Sequence, residues 1–248
     1  MEREGQVTLA EFDSRKDGRF STEEELFSLL NVSGIAYLVM RNHENLLTPD
    51  FFLDGHPDID ILCSDSDALA RRIGAQTNRK NQQGHYGDGT HYHVFINGRK
   101  VSLDLRHTGD GYYCTDWQRD ALSRRLFNGS FYVMSDEDYF YTLAYHAILQ
   151  KPSLTDEYCR RLRTMADSLG VKVDNDSEEG FIHVLQDYMR SKGYTFTYPR
   201  DEMVRLRTSM LDRRMIDYDL CLLIRHRLFE TKVNVIDFFV RLKHLVRL

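Results

Sequence analysis

Asp58 and Asp60 stand two apart in the run Pro57-Asp58-Ile59-Asp60-Ile61-Leu62-Cys63. In a strand, side chains alternate faces, so both carboxylates share one face while Ile59 and Ile61 turn into a core. Neighbouring carboxylates repel unless a proton or a cation sits between them. Magnesium (or manganese) answers that need, because it takes hard oxygen ligands and keeps waters or phosphate oxygens in its other positions. A D-x-D pair also suits two exposed polar positions on a half-buried strand, and the pair alone does not decide between these readings.

A third carboxylate comes from the strongest local signal in the chain. His91-Tyr92-His93-Val94-Phe95-Ile96, then Asn97-Gly98, then Arg99-Lys100-Val101-Ser102-Leu103-Asp104-Leu105-Arg106 reads as a hairpin. Asn-Gly suits a two-residue type I′ turn, whose central residues both need positive φ. That turn places Ile96 opposite Arg99, Val94 opposite Val101 and Tyr92 opposite Leu103 on a largely apolar face. The other face then carries His93 opposite Ser102 and His91 opposite Asp104, with Arg106 further along. Set beside the Asp58 strand at a sheet spacing of about 4.8 Å, Asp104 joins Asp58 and Asp60 around one or two metal ions. Two-metal sites hold their ions roughly 3.5 to 4 Å apart and clamp the attacking and leaving oxygens of phosphoryl transfer.

Other elements must position these groups. Residues 1–20 are polar and read as a loosely held arm. Ser21 with Glu24 makes a capping box opening a helix over 23–30, and Ile35 to Met40 reads as a buried strand. Residues 41–57 are a long polar connection. Ser64 with Asp67 opens a helix to Ile73 that Gly74 closes. Ser135 with Asp138 opens another, to about Gln150. Helices over 155–169 and 178–192 follow, then two more beyond Tyr198-Pro199, the last from about Val235. The reading is an α+β fold: a mixed sheet with flanking helices over 21–130, followed by an all-helical domain over 131–248.

An apolar strand after a helix, a D-x-D strand, a helix, and a hairpin bearing a third aspartate resembles the nucleotidyltransferase fold shared by DNA polymerase beta, tRNA nucleotidyltransferases and antibiotic nucleotidyltransferases. The resemblance covers about residues 21–107. It implies that Asp58 and Asp60 bind metal, and that Asp104 does so too or activates an acceptor hydroxyl. The implied activity moves a nucleotidyl or phosphoryl group from a nucleotide donor to a hydroxyl acceptor, with small molecules or glycans favoured as acceptors. One departure stands out. Where the family has Gly-Ser or Gly-Gly to hold a triphosphate at a helix N-terminus, this chain has Met40-Arg41-Asn42-His43-Glu44-Asn45. Arg41 and Asn42 are then candidates to contact phosphate through side chains. A glycine-poor site centred on D-x-D also resembles the LicD and fukutin relatives, which transfer phosphocholine or polyol phosphate from a CDP-linked donor to a glycan. A catalytically inactive nucleotide-binding module is a further reading.

His91 and His93 are candidate substrate contacts in the Asp104 cleft, or with His85 a zinc site, or solvent-facing hairpin residues. Arg106 and Lys151 are candidates to neutralise phosphate charge, although Lys151 also suits a helix C-terminus on electrostatic grounds alone. Net charge is −5, which argues against a global nucleic-acid footprint. From Arg213 onward eight Lys/Arg face four Asp/Glu, and that apolar, basic C-terminal helix suits packing within the chain, a homodimer, or peripheral contact with an anionic surface. No run is long enough for a transmembrane helix, no secretory signal opens the chain, and Cys63, Cys114, Cys159 and Cys221 form no C-x-x-C pair. The expectation is a cytoplasmic protein with reduced thiols.

Overall fold

Alternation of apolar and polar residues builds the centre of the molecule. The structure, a computed structural model, describes residues 17–53, 57–77 and 91–246. Strand β1 (Arg19–Phe20) and helix α1 (Glu23–Asn31) lead into β2 (Tyr37–Val39), β3 (Asp58–Cys63), α2 (Ser66–Ile73) and β4 (Gln76–Thr77). The hairpin β5 (His91–Ile96) and β6 (Arg99–His107) follows, then α3 (Thr115–Ser123), β7 (Leu126–Phe127), β8 (Tyr132–Val133) and α4 (Asp136–Tyr145). These strands form one mixed eight-stranded sheet among the described residues, ordered β1-β5-β6-β3-β2-β8-β7 with β4 on β5. Its core joins Ile59 and Ile61 of β3 and Leu103 and Leu105 of β6 to Leu26 and Leu30 of α1 and Leu69 and Ile73 of α2. The fold is α+β, as expected.

Local signals set the element ends, sometimes one residue from where the sequence places them. The α1 cap is Thr22, which accepts from Glu25 N, while Ser21 N donates to the Glu25 carboxylate at 2.6 Å. The box therefore uses Thr22 and Glu25 rather than Ser21 and Glu24, because extended backbone at Thr22 aims its hydroxyl at the first turn. Likewise Asp65, not Ser64, caps α2 by accepting from Ala68 N at 2.9 Å. Ser135 caps α4 as expected, and its hydroxyl donates back to Asp138. Asn97 and Gly98 adopt φ 49 and 73, the type I′ turn. The loose-arm expectation fails for its last residues. Phe95 N donates to Gly18 O and Asn97 N to Phe20 O, so residues 19–20 add an edge strand beside the hairpin with Phe20 buried. Residues 1–16 lie outside the described residues.

Helix α3 had no expectation, since only Trp117, Ala121 and Leu122 mark its apolar side. A buried carboxylate ties it to α4. Asp138, fully buried, accepts from Trp117 Nε1 at 3.1 Å, from Arg124 Nε and Nη2 at 3.0 and 2.8 Å, and from Ser135.

The described residues divide into two compact units, one reaching Gly109 and including Thr115–Leu143, the other holding Asp110–Cys114 and the chain from Ala144. The second unit contains a π-helical turn over His146–Gln150, then α5 (Asp156–Leu169), α6 (Glu178–Lys192), a two-stranded parallel pair of β9 (Phe196–Thr197) and β10 (Ile216–Asp217), and α7 (Leu220–Val246). Gly170 and Gly193 close α5 and α6 in the left-handed conformation. The expected separate helices beyond Pro199 resolve into the single α7, because no proline or glycine interrupts residues 220–246. Among the described residues, no helix is long and apolar enough to cross a membrane.

Replacing Asp138 with alanine strands the Trp117 and Arg124 donors against a buried gap. The expected loss is about 3 kcal/mol of unfolding free energy, read by urea denaturation; a change below about 0.5 kcal/mol, the ordinary surface value, would refute the clamp.

Candidate functional site

The site is built by two strand pairings. Strand β3 runs parallel to β6 with Asp58 opposite Ser102 and Asp60 opposite Asp104. Strand β5 runs antiparallel to β6 with His91 opposite Asp104 and His93 opposite Ser102, the register expected of the turn. Ile59, Ile61, Leu103 and Leu105 are at most 1% exposed, so they take the core face and leave the three aspartates on the other. Asp58, at the start of β3, is exposed, while Asp60 is buried.

Each carboxylate is met by neighbouring charge. Arg41, just past β2, reaches Asp60 Oδ1 through Nη2 at 2.9 Å, with both side chains nearly buried. His91 Nδ1 lies 2.7 Å from Asp104 Oδ1, and Arg106 Nη2 lies 3.6 Å from Asp104 Oδ2. Burial works to raise the Asp104 pKa, but the His91 hydrogen bond and the charges of Arg106, His91 and Arg41 outweigh it and hold this carboxyl below its ordinary value. Asp58 is shifted the other way. Partial desolvation, then repulsion from Asp60 and Asp104, raises its pKa. Asp58 therefore feels the charge of the other two acids.

The loop that carries Arg41 is held from outside the sheet. Met40 N donates to Asp60 O at 2.9 Å, in line with the β2–β3 ladder. Asn42 adopts φ 54, a conformation asparagine tolerates better than most residues, and its N–H donates to the Tyr139 hydroxyl at 3.3 Å. That hydroxyl donates in turn to Glu44 at 3.1 Å. Residues 41–48 form turns and lead to a short 3-10 helix at Pro49–Phe52. No helix N-terminus stands directly after β2, consistent with the missing glycines.

The remaining candidates fall in several places. Arg106 is buried and lies against Asp104 rather than in solvent. His93 faces the same side as His91, its ring edge-on to Phe95, and desolvation followed by the charge of Lys100 lowers its pKa. Lys151 is an exposed residue of the second unit, following the π-helical turn. His85 lies outside the described residues. Tyr139 had no sequence signal, since its partners are 97 and 95 residues away.

Three carboxylates offer the hard oxygen donors that magnesium or manganese takes. Among the described residues, however, no three histidine, cysteine or carboxylate side chains already stand as a ligand set. The donors suit a divalent cation in chemistry and register, while Arg41 and His91 now hold two of them.

Removing the imidazole should shift Asp104. In His91→Ala, burial acts with less opposition, so the carboxyl pKa rises from its lowered native value. A lowered native pKa stabilises the fold above the unfolded value of about 3.9, and that contribution disappears as pH falls through the native pKa. Carboxyl NMR titration should show the upward shift and a narrowed acid-stability margin; an unmoved Asp104 curve would remove His91 from its electrostatics.

No family model matches the chain, and no curated protein matches it. The crystal structure of an antigenic nucleotidyltransferase-like protein from Paracoccidioides brasiliensis is similar to 68% of this chain and 86% of its own, at 15% identity and a TM-score of 0.36.

Proposed function

We propose that this chain is a divalent-cation-dependent transferase that moves a nucleotidyl or phosphoryl group from a nucleotide donor to a hydroxyl acceptor. One observation carries the reading: the parallel register of β3 and β6 sets Asp60 and Asp104 on one rung, with Asp58 two residues away on the same face. Like charges so placed are costly unless a positive group balances them, and repulsion from Asp60 and Asp104 adds to desolvation in raising the Asp58 pKa.

Magnesium, when bound, supplies positive charge against the donor phosphates. Asp58 and Asp60 are its holders in this reading. Asp104, kept ionised by His91 and Arg106, orients the acceptor hydroxyl and takes its proton. Arg41 is placed beside Asp60 to share charge between the carboxylate and an incoming phosphate. Asn42 and His93 are proposed as further donor or acceptor contacts. The glycine-free loop after β2 favours a donor gripped by side chains, which suits the diphosphate of a CDP-linked donor as well as a triphosphate.

A second reading, an inactive nucleotide-binding module, draws on the same loop and on the direct hold of Arg41 on Asp60. Turnover separates the two. The four nucleoside triphosphates and CDP-linked alcohols, each with magnesium and a set of polyol and sugar acceptors, should reveal one donor class that releases pyrophosphate, a nucleoside diphosphate or CMP. Asp58→Asn, Asp60→Asn and Asp104→Asn should each lower that rate at least about 10²-fold in chains that circular dichroism shows to be folded. An active double variant at 58 and 60 would end the transferase reading.

A further inference from the structure

The opposite end of the same strands carries a second arrangement of polar groups. Cys63 and His107, the last residues of β3 and β6, are register partners, so Ser64 and Thr108 leave the sheet side by side. Ser64 N donates to Ala36 O just before β2, and Thr108 N donates to Cys63 O. The last turns of α3 bring Arg119, Leu122 and Ser123 to this edge, with Arg125 just beyond. Together they line an open crevice of about 390 Å³, within the range of small-molecule sites. Its lining has two guanidinium groups and three hydroxyls but no carboxylate.

The two arginines are placed differently. Arg125 stacks on the Tyr132 ring at 4.7 Å and gives one Nη1 hydrogen bond to the Leu122 carbonyl. Its Nε is buried with no hydrogen-bond partner, and among the described residues no carboxylate pairs with it. A guanidinium fixed by stacking, with one N–H given to a carbonyl and no carboxylate partner among the described residues, favours an anion that brings oxygens to its remaining donors. Arg119 pairs only loosely with Asp116, at 3.5 Å between side chains 67% and 78% exposed. Such a surface pair is easily exchanged for another anion.

We infer that the crevice at the carboxyl ends of β3 and β6 binds a phosphate monoester of about the size of a sugar phosphate, with Arg125 and Arg119 on the phosphate and Ser64, Thr108 and Ser123 as hydroxyl partners. A phosphate fits this lining because its oxygens accept from the guanidinium fork in pairs. The site is separate from the aspartates: Ser64 lies four residues beyond Asp60, about 13 Å along an extended strand. It does not depend on the transferase reading.

Calorimetric titration with inorganic phosphate and with ribose 5-phosphate, in metal-free buffer, tests it. Both should bind the native chain, ribose 5-phosphate more tightly, and should bind the Asp58→Asn/Asp60→Asn double variant equally well. Arg125→Gln should weaken ribose 5-phosphate about tenfold or more, the scale of one lost charge-assisted hydrogen bond. Arg119→Gln, at an exposed position where folding is not at risk, should weaken it severalfold, and that variant decides the matter where Arg125→Gln does not fold. Unchanged affinity in Arg119→Gln and in folded Arg125→Gln, no heat from the native chain at millimolar ligand, or binding lost in the aspartate double variant would each overturn the inference.

Discussion

Three carboxylates on one face of two adjacent strands form the constraint around which this sheet is arranged. Asp60 and Asp104 are register partners about 4.8 Å apart in the backbone, and Asp58 stands on the same face. Their repulsion must be balanced locally, since the other face of both strands is closed by a packed core. The balance comes from three directions. Arg41 comes from the loop after β2, His91 from the neighbouring hairpin strand, and Arg106 from two residues along β6 itself.

That balance makes register the critical quantity. Slipping β6 by one residue against β3 would bring Leu103 and Leu105 to the charged face and send Asp104 into the core. Two features oppose the slip. The Asn97–Gly98 turn sets β5 against β6 with no spare residue, and Ser102 N donating to Pro57 O continues the β3–β6 ladder to the edge beside Asp58. Arg41 has its own support, because Tyr139 holds both Asn42 and Glu44 of the following loop. The hydrogen-bonded cluster around Asp138 lies on the same helix as Tyr139, so packing of α3 on α4 bears on where that arginine stands.

Much of this was legible from residue types alone. The turn dipeptide, the alternation from Val101 to Leu105, and glycines at 74, 170 and 193 specify backbone geometry locally, and each element follows its own signal. The face shared by Asp58, Asp60 and Asp104 was legible for the same reason. What was not legible depends on distant partners. Helix α3 carries too few apolar residues to stand out, and it is secured by Asp138 from a later helix. Strands β7 and β8 have two residues each, too short for any periodicity. The pairing of Arg41 with Asp60 needs β2 and β3 to be antiparallel neighbours, which sequence spacing does not state. The break of α4 into a π-helical turn at His146 likewise has no proline or glycine to announce it.

Manganese titration followed by electron paramagnetic resonance tests the central claim most directly, since it reads the cation itself and needs no knowledge of the acceptor. The carboxylate face should take up manganese, more tightly when a donor nucleotide is present, and lose it when Asp60 or Asp104 is changed to asparagine. A spectrum of free manganese throughout, with and without each nucleotide, would mean that these three acids are balanced by Arg41, His91 and Arg106 alone.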